Sequence, residues 1–397
     1  MRRARASPLI QMKSMVERVI GIDFVIVGGG IQGLLLLDEL AAARRSCVLV
    51  TNSDLGSGQT LHSHGLLNTG FGFAGPGMRE IRDRLVLPFL RARHIDTYGE
   101  WLLITPDEVS VGTSVATARL PAWLNPGGAT VRRLPELNIP KRRLVESLAR
   151  ENIGRIIRGN LTKVRASGAV ETLEVSLEST GDKLTFAPGC IIAATGTGTK
   201  RLVGWLGGAS DQLAKIRHRR VQMLCVRGPA GVLPAVSILS IQHGLNIVAH
   251  ELDGFVTWYS TPFQDDDPHY ENVPDDADAA IDPNVVTEGF HRLESIFPGL
   301  ARTPELRFTA CAGYRQDIGE TVGTPSCEVV QGISNLLVAL PSLMVNAWSN
   351  AEAAGQMVAS VAPRRTRQPV IPGAGAGVRV GRLREEWPGT QWGTWRR

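Results

Sequence analysis

Residues 22–33 read Ile22-Asp23-Phe24-Val25-Ile26-Val27-Gly28-Gly29-Gly30-Ile31-Gln32-Gly33. The first six form a short, β-branched, nearly unbroken apolar run, the pattern of a strand buried on both faces of a parallel sheet. The glycines come next, followed by LLLLDELAAARR, a strong helix-forming segment. A second apolar strand, Cys47-Val48-Leu49-Val50, closes the unit. Strand, glycine loop, helix and strand within about thirty residues make a βαβ unit of the dinucleotide-binding kind. Gly28 permits a tight turn, Gly30 lets a pyrophosphate approach the backbone, and Gly33 lets the helix pack on the sheet. The helix N-terminus, at Ile31 and Gln32, presents N–H groups and a positive partial charge. A purely structural turn is the bland alternative, and the strand and helix flanking the glycines argue against it. Where the second strand ends, an acidic residue commonly receives the ribose hydroxyls. Here the sequence is Thr51-Asn52-Ser53-Asp54, so the Asn52 amide is the candidate for that contact, with Asp54 close by.

Outward from this unit, residues 56–77 are rich in Gly, Ser, Thr and His without periodicity, which predicts a long functional loop. Residues 79–99 read as helix, and 100–135 as short strands broken by Pro106, Pro121 and Pro126. A helix LVESLARENIG and alternating strands at 171–177 and 183–187 lead to a second fully apolar run, 190–194, ending in Thr195-Gly196-Thr197-Gly198. From 219 to 261 strict alternation predicts a half-exposed antiparallel sheet. An acidic loop, 264–282, precedes a helix carrying Val286, Phe290, Leu293 and Phe297 at helical spacing. A strand at 336–340 and a helix NAEAAGQMVASV close the globular part, and the Pro/Gly/Arg/Trp mixture beyond Pro363 reads as a mobile tail. Nucleotide-binding material thus alternates with antiparallel material, so one domain is interleaved with another.

The chain has 397 residues, 43% of them hydrophobic, which suits two domains. Its formal charge of +5 suggests a polyanionic partner, but the excess sits at the ends. Residues 1–20 hold five basic residues and one acid, residues 363–397 hold eight arginines and two glutamates, and the body between carries −5. A nucleic-acid partner is therefore not expected. No apolar run is long enough for a transmembrane segment, and the basic N-terminus lacks the apolar core of a secretory signal, so a cytoplasmic location is expected. Five cysteines without a C-x-x-C pair argue against a disulfide framework or a zinc knuckle, and no metal is expected.

Three passages resemble the D-amino-acid-oxidase superfamily of FAD-dependent oxidoreductases, and within it most closely the L-2-hydroxyglutarate dehydrogenases and oxidases. Gln59-Thr60-Leu61-His62-Ser63-His64-Gly65-Leu66-Leu67-Asn68-Thr69-Gly70 is similar to the family's Q-T-G-H-N-S-G-V-I-H-x-G, matching at Gln59, Thr60, His62, Gly65 and Gly70. Ala312-Gly313-Tyr314-Arg315-Gln316 resembles the superfamily's A-G-x-R-P. Val345-Asn346-Ala347-Trp348-Ser349-Asn350-Ala351 is similar to the subfamily's C-N-A-P-S-P-A. Asn68 replaces a loop histidine of that pattern, and Trp348 and Asn350 replace two prolines.

The resemblance implies an α/β fold in which a Rossmann-like FAD-binding domain (21–85, 140–215 and 305–362) is interleaved with a mixed or antiparallel-sheet substrate domain (86–139 and 216–304). A basic extension, 1–20, and a basic flexible tail, 363–397, flank them. It further implies FAD contacts at Gly28, Gly30, Ile31, Gln32, Gly33, Asn52, Gln59, Thr60, His62, Gly65, Leu66, Val164, Thr195, Gly196, Val345, Asn346 and Ala347. The stretch around His62 also resembles the S-G-T-T-W-H-T-A-G-L of sarcosine and dimethylglycine dehydrogenases, in which the matching histidine is bonded covalently to the flavin. A covalent FAD at His62, a histidine packed near the flavin ring, and an ordinary loop histidine all remain open. Cys311 reads as a buried structural cysteine.

Arg315 is the candidate for a substrate carboxylate, since its planar fork binds one bidentately, although a structural ion pair is an equal alternative. Tyr314, Tyr259 and Trp258 are candidate pocket residues. Removing hydride from a carbinol carbon also requires a proton acceptor, and His62 and His64 are the nearest candidates, ahead of His243 and His250. The expected activity is oxidation of a small 2-hydroxy acid, with oxygen or a quinone accepting the electrons. An amine or amino-acid oxidase is the alternative.

Overall fold

The computed structural model describes residues 19–67, 77–106, 113–115, 123–263, 269–270, 281–318, 326–341, 344–359, 367–383, 386 and 391–395. The extension before 19, Asn68 and Gly70 of the loop, most of the acidic segment and parts of the C-terminal segment lie outside these residues.

The chain opens with β1 (Val19–Val27), α1 (Ile31–Ala42) and β2 (Cys47–Thr51). Ile22, Phe24, Val25 and Ile26 of β1 have no exposed surface. Asp23, the one charge in that run, is buried too, because its carboxylate accepts from the Ser46 N–H at 3.1 Å and its own N–H donates to the Ser46 hydroxyl at 2.9 Å. Next come α2 (Gln59–His62), β3 (Leu66–Leu67), α3 (Met78–Ile81), a wide π-helical turn at Arg82–Val86 and α4 (Leu87–Ala92). Then follow β4 (Glu100–Thr105), β5 (Thr113–Ser114), β6 (Thr130–Leu134), β7 (Leu137–Asn138) and α5 (Lys141–Asn152). A meander of β8 (Ile156–Ala166), β9 (Val170–Leu177) and β10 (Lys183–Ala193) precedes α6 (Thr199–Trp205) and α7 (Asp211–Lys215). The remainder is β11 (Ile216–Pro229), β12 (Val236–Ser240), β13 (Leu245–Leu252), β14 (Phe255–Pro262), β15 (His269–Tyr270), α8 (Pro283–Ile296), β16 (Arg307–Ile318), β17 (Ser326–Val329), β18 (Leu336–Leu340) and α9 (Asn346–Ala359).

Among the described residues there are three sheets, the smallest of them β3 with β7, and the fold is Rossmann-like. In the first, β8, β2, β1, β10 and β18 run parallel, β17 closes one edge antiparallel, and β9 joins β8 to β10. One face carries α1, α5 and α9 over an apolar cluster with Phe24, Leu34 and Leu148, and the other carries a second cluster around Val25, Phe186 and Ile191. In the second sheet β11 pairs with β14, β15 and β16, and the order continues β14-β13-β12-β4-β6-β5. α8 covers the face bearing Leu224, Ile247 and Trp258. Asn138 of β7, fully buried, fastens the small sheet to the second one. Its amide accepts from Trp101 Nε1 at 3.0 Å and donates to Ser237 Oγ at 3.0 Å and to the Ala249 carbonyl at 2.9 Å.

Local readings differ from this structure in three places. The 56–77 segment holds a helical turn and a short strand as well as loop. The 79–99 helix stops at Ala92, and His94, with φ +53, turns the chain. The last helix starts at Asn346, ahead of the predicted 350.

The mobile tail is the larger correction. Gln368 holds both backbone groups of Cys47, each at 2.9 Å, Ile371 is buried, and the Gly375 N–H donates to the Ile156 carbonyl at 2.8 Å. Leu55 exchanges backbone hydrogen bonds with Arg379 and Gly381, each 2.8 Å. Farther on, Gly393 pairs with Phe308, and Trp395 stacks on Phe290 at 3.7 Å. An irregular segment has no period to read, yet it can satisfy its polar groups on strand edges. Here Gly373, Gly375 and Gly377 supply the left-handed turns, with φ of 71°, 80° and 69°.

Candidate functional site

The glycine turn is built by close backbone approach. Gly28 has φ +121, and a Cβ there would overlap the Ala194 carbonyl and stand 3.0 Å from Thr195 Cα. A Cβ on Gly33 would overlap the Gly28 carbonyl oxygen, so α1 can pack on β1 only with glycine at 33. Gly30 differs. Among the described residues only Thr60 Oγ1, at 3.4 Å, lies within 4 Å of its missing Cβ, which leaves the cradle open for a phosphate. The Ile31 N–H donates to that Thr60 hydroxyl at 2.9 Å. Because a hydroxyl both accepts and donates, Thr60 retains an O–H that can turn toward an anion. Thr195 and Gly196 border the same turn, and Gln59 spans from there to the Tyr314 carbonyl, to which its Nε2 donates at 3.0 Å.

At the end of β2 the residue facing this turn is Thr51, whose Oγ1 is the nearest atom to a Cβ built on Gly29. Asn52 is exposed, and Asp54 is ion-paired with Arg158. Val164 lies on β8 opposite Leu173, half-buried against the second apolar cluster. On the far side of α1, the buried Gln32 donates to the Ala347 carbonyl at 3.3 Å and accepts from Asn350 Nδ2 at 3.1 Å. This contact ties α1 to the first turn of α9, where Val345, Asn346 and Ala347 are all buried. The Ala347 N–H donates to the Met344 carbonyl at 3.1 Å.

A second constellation lies on the face of the larger sheet away from α8. Register places Tyr259 opposite both Cys225 and Val248, and Arg315 opposite Arg219, all on this face. Two guanidiniums opposite one another favour an anion between them. Tyr314 and Trp258 point the other way. Tyr314 shares its face with Arg220, and Trp258 packs on Phe297 at 4.3 Å under α8 while its Nε1 donates to the Pro234 carbonyl at 2.8 Å. Of the three aromatic candidates, then, only Tyr259 is on the face away from α8. Cys311 is buried, 3.7 Å from Cys225 Sγ.

Against this face pack His64, Lys141, His250 and Tyr98. His250 Nε2 donates to the His64 carbonyl at 2.5 Å, so its Nδ1 is the acceptor for the Tyr98 hydroxyl, and the ring is a neutral imidazole of one tautomer. Burial and then the Lys141 charge hold its pKa at about 3. His64 is held at about 4, first by burial and then by the charges of Lys141 and Arg315. Burial also pushes the Tyr98 phenol upward. Gly65, with φ +73, is squeezed between Lys141 Cγ, the Ile139 carbonyl and His250 Cε1, and Leu66 continues into β3. His62 ends α2 with its Nε2 buried. His243 sits in the β12–β13 turn, where its Nδ1 lies 2.7 Å from Ser240 Oγ.

The structure thus brings His64 within electrostatic reach of Lys141 and Arg315, with His250 and Tyr259 packed beside Lys141 and His64, and gathers the glycines, Thr60, Thr195 and Gly196 into another group, with Gln59 reaching from Gly196 to Tyr314. Lys141, Tyr98 and Thr51 join these groups without any motif to announce them. A buried Lys is rare, but burial is not visible in sequence.

A family model described as DAO, FAD dependent oxidoreductase, matches residues 23–360. No curated protein matches the sequence. Among solved structures, an FAD dependent oxidoreductase from Pseudomonas aeruginosa is similar at 19% identity and TM-score 0.71, over 92% of this chain and 98% of that one. Glycine oxidase from Geobacillus kaustophilus is similar at 16% identity and TM-score 0.64, over 90% of this chain and 98% of its own. The glycerol-3-phosphate dehydrogenase from Bacillus halodurans, complexed with FAD, is similar at 15% identity and TM-score 0.64, over 89% of this chain and 67% of its own. At such identities the likeness speaks to fold.

Proposed function

The chain belongs to the DAO family of FAD-dependent oxidoreductases, and on that premise we propose that it dehydrogenates a small 2-hydroxy acid whose carboxylate is held by Arg315. The observation that carries this reading is that the His64 imidazole, held below its ordinary pKa by burial, lies within electrostatic reach of two cations, Lys141 and Arg315, and is fixed through its carbonyl by His250. The cations favour a carboxylate and disfavour the ammonium of a zwitterionic amino acid, while the imidazole can accept the proton that an alcohol must lose.

The flavin, when bound, supplies a hydride acceptor at N5. The protein's part begins at Gly28, Gly30 and Gly33, whose open turn, with Thr60 and the start of α1, holds the pyrophosphate. Thr51 and Asn52 would hold the ribose, Val164 the adenine, and Thr195 and Gly196 the phosphates. Gln59, His62, Gly65 and Leu66 carry the loop toward the ring, and Val345, Asn346 and Ala347 bring the start of α9 to it. Arg315 orients the acid, and the Tyr259 ring lies against the Lys141 ammonium. A bound carboxylate offsets the charges of Lys141 and Arg315, so His64 becomes a better proton acceptor when substrate is present. Oxygen or a quinone would be the electron acceptor.

A second reading, a 2-amino acid as donor, is favoured by the low basicity of His64, because a neutral amine needs no base. Anaerobic mixing of the holoenzyme with panels of 2-hydroxy acids and 2-amino acids separates the two. Bleaching of the flavin absorbance by hydroxy acids is the expected result. Bleaching by amines alone would establish the second reading, and no bleaching by either panel would overturn both.

A further inference from the structure

No motif marks Lys141, the first residue of α5, yet three elements converge on its ammonium. The residue is 4% exposed. Its Nζ donates to the Leu61 carbonyl at 3.0 Å and to the Ser63 carbonyl, the last acceptors of the α2 turn. The same Nζ lies 4.9 Å from the centroid of the Tyr259 ring on β14. Its stem runs along the turn at Gly65, where any Cβ would stand 2.9 Å from Lys141 Cγ. A buried ammonium is tolerated only where acceptors and an aromatic face replace water. All three replacements here belong to the segment carrying His64 or to the wall opposite it.

We propose that Lys141 is a positioning residue that ties residues 61–65 to β14, and so fixes the His64 imidazole beside Arg315 at the distance the bound acid requires. The proposal rests on the reading of His64 as proton acceptor. The charged and titratable groups around His64 are Lys141 from α5, Arg315 from β16, and His250 from β13 with Tyr98 bonded to it. A tether without charge would act on geometry alone, whereas Lys141 acts on geometry and on the protonation of His64 together.

Three variants of the holoenzyme separate these roles. Lys141→Gln keeps N–H donors for the Leu61 and Ser63 carbonyls but loses the charge, Lys141→Arg keeps the charge, and Lys141→Met loses both. With a hydroxy acid that reduces the wild type, Lys141→Met should lower kcat about tenfold or more, since displacement of a reacting group by an ångström has that order of effect. Lys141→Gln and Lys141→Met should both move the acid limb of the kcat profile up by about one pH unit, and Lys141→Arg should restore it. If Lys141→Met does not fold, Lys141→Gln carries the test. Acetate binding to the oxidised holoenzyme, followed by flavin absorbance against pH, reads the same shift without turnover. A wild type that binds acetate but is reduced by no hydroxy acid removes the functional reading and leaves Lys141 to be judged on the acetate profile. An acid limb identical in all four proteins would overturn the proposal, as would a wild type showing neither acetate binding nor reduction.

Discussion

Arg315 and Tyr314 are neighbours in one signature, yet the signature says nothing about which of them faces substrate. Alternation along β16 decides it, placing Arg315 toward His64 and Tyr314 toward Arg220. Replacing Arg315 with Met should raise KM for an acid substrate by about a hundredfold, the usual order for a lost bidentate charge pair, while flavin content stays unchanged. Steady-state kinetics and the visible spectrum check both. His62 was marked by its resemblance to a covalent histidine, but its Nε2 is buried in the chain. Acid precipitation should therefore release the flavin to the supernatant, and a yellow pellet that turns white in His62→Ala would reverse this. The two buried histidines also make a stability prediction. In the folded protein His64 and His250 are held at about 4 and about 3, below the ordinary value of 6.5. Above pH 6.5 neither state binds these protons and stability is level. From 6.5 down to about 4 the unfolded chain takes up protons that the native state refuses, so stability falls. Thermal melts across this range should show the decline, and His64→Asn should make it shallower, with the His250 share remaining.

The βαβ unit is the element most legible in sequence, because strand, turn and helix each carry a local pattern within a short span. Its geometry also turns on a single atom. Gly33→Ala places a methyl on the Gly28 carbonyl oxygen, so α1 must lift from β1 or the turn must open. The expected result is a protein purified without its yellow colour and with a lower melting temperature, read from the absorbance ratio at the flavin and protein bands. Other elements were hidden for identifiable reasons. The α2 turn is four residues long, too short to show a period, and is held by Lys141 from a helix about eighty residues away. The first turn of the last helix, back to Asn346, is held by Gln32 of α1, which donates to the Ala347 carbonyl and accepts from Asn350, 318 residues away.

At the scale of the whole molecule, the charge balance of the sequence divides the chain into a mildly acidic body and two basic ends, and the C-terminal end is docked rather than loose. Truncation after residue 366 removes buried Ile371, the Gln368 contacts with Cys47 and the Trp395 stack on Phe290. A drop of roughly 5 °C or more in Tm is expected, on the usual relation between lost contacts and melting temperature. Flavin content should fall with it, because Arg379 and Gly381 hold Leu55, beside the glycine turn. A truncated protein with unchanged Tm and colour would show the segment to be dispensable. The sequence by itself determined the nucleotide-binding unit, the flavin family and the arginine signature, since each depends on neighbours along the chain. Only the tertiary structure decided that Lys141, His250 and Tyr98 surround His64, that Tyr314 faces away, and that the tail is anchored. Burial, facing and register arise between segments far apart in sequence, and no local pattern encodes them.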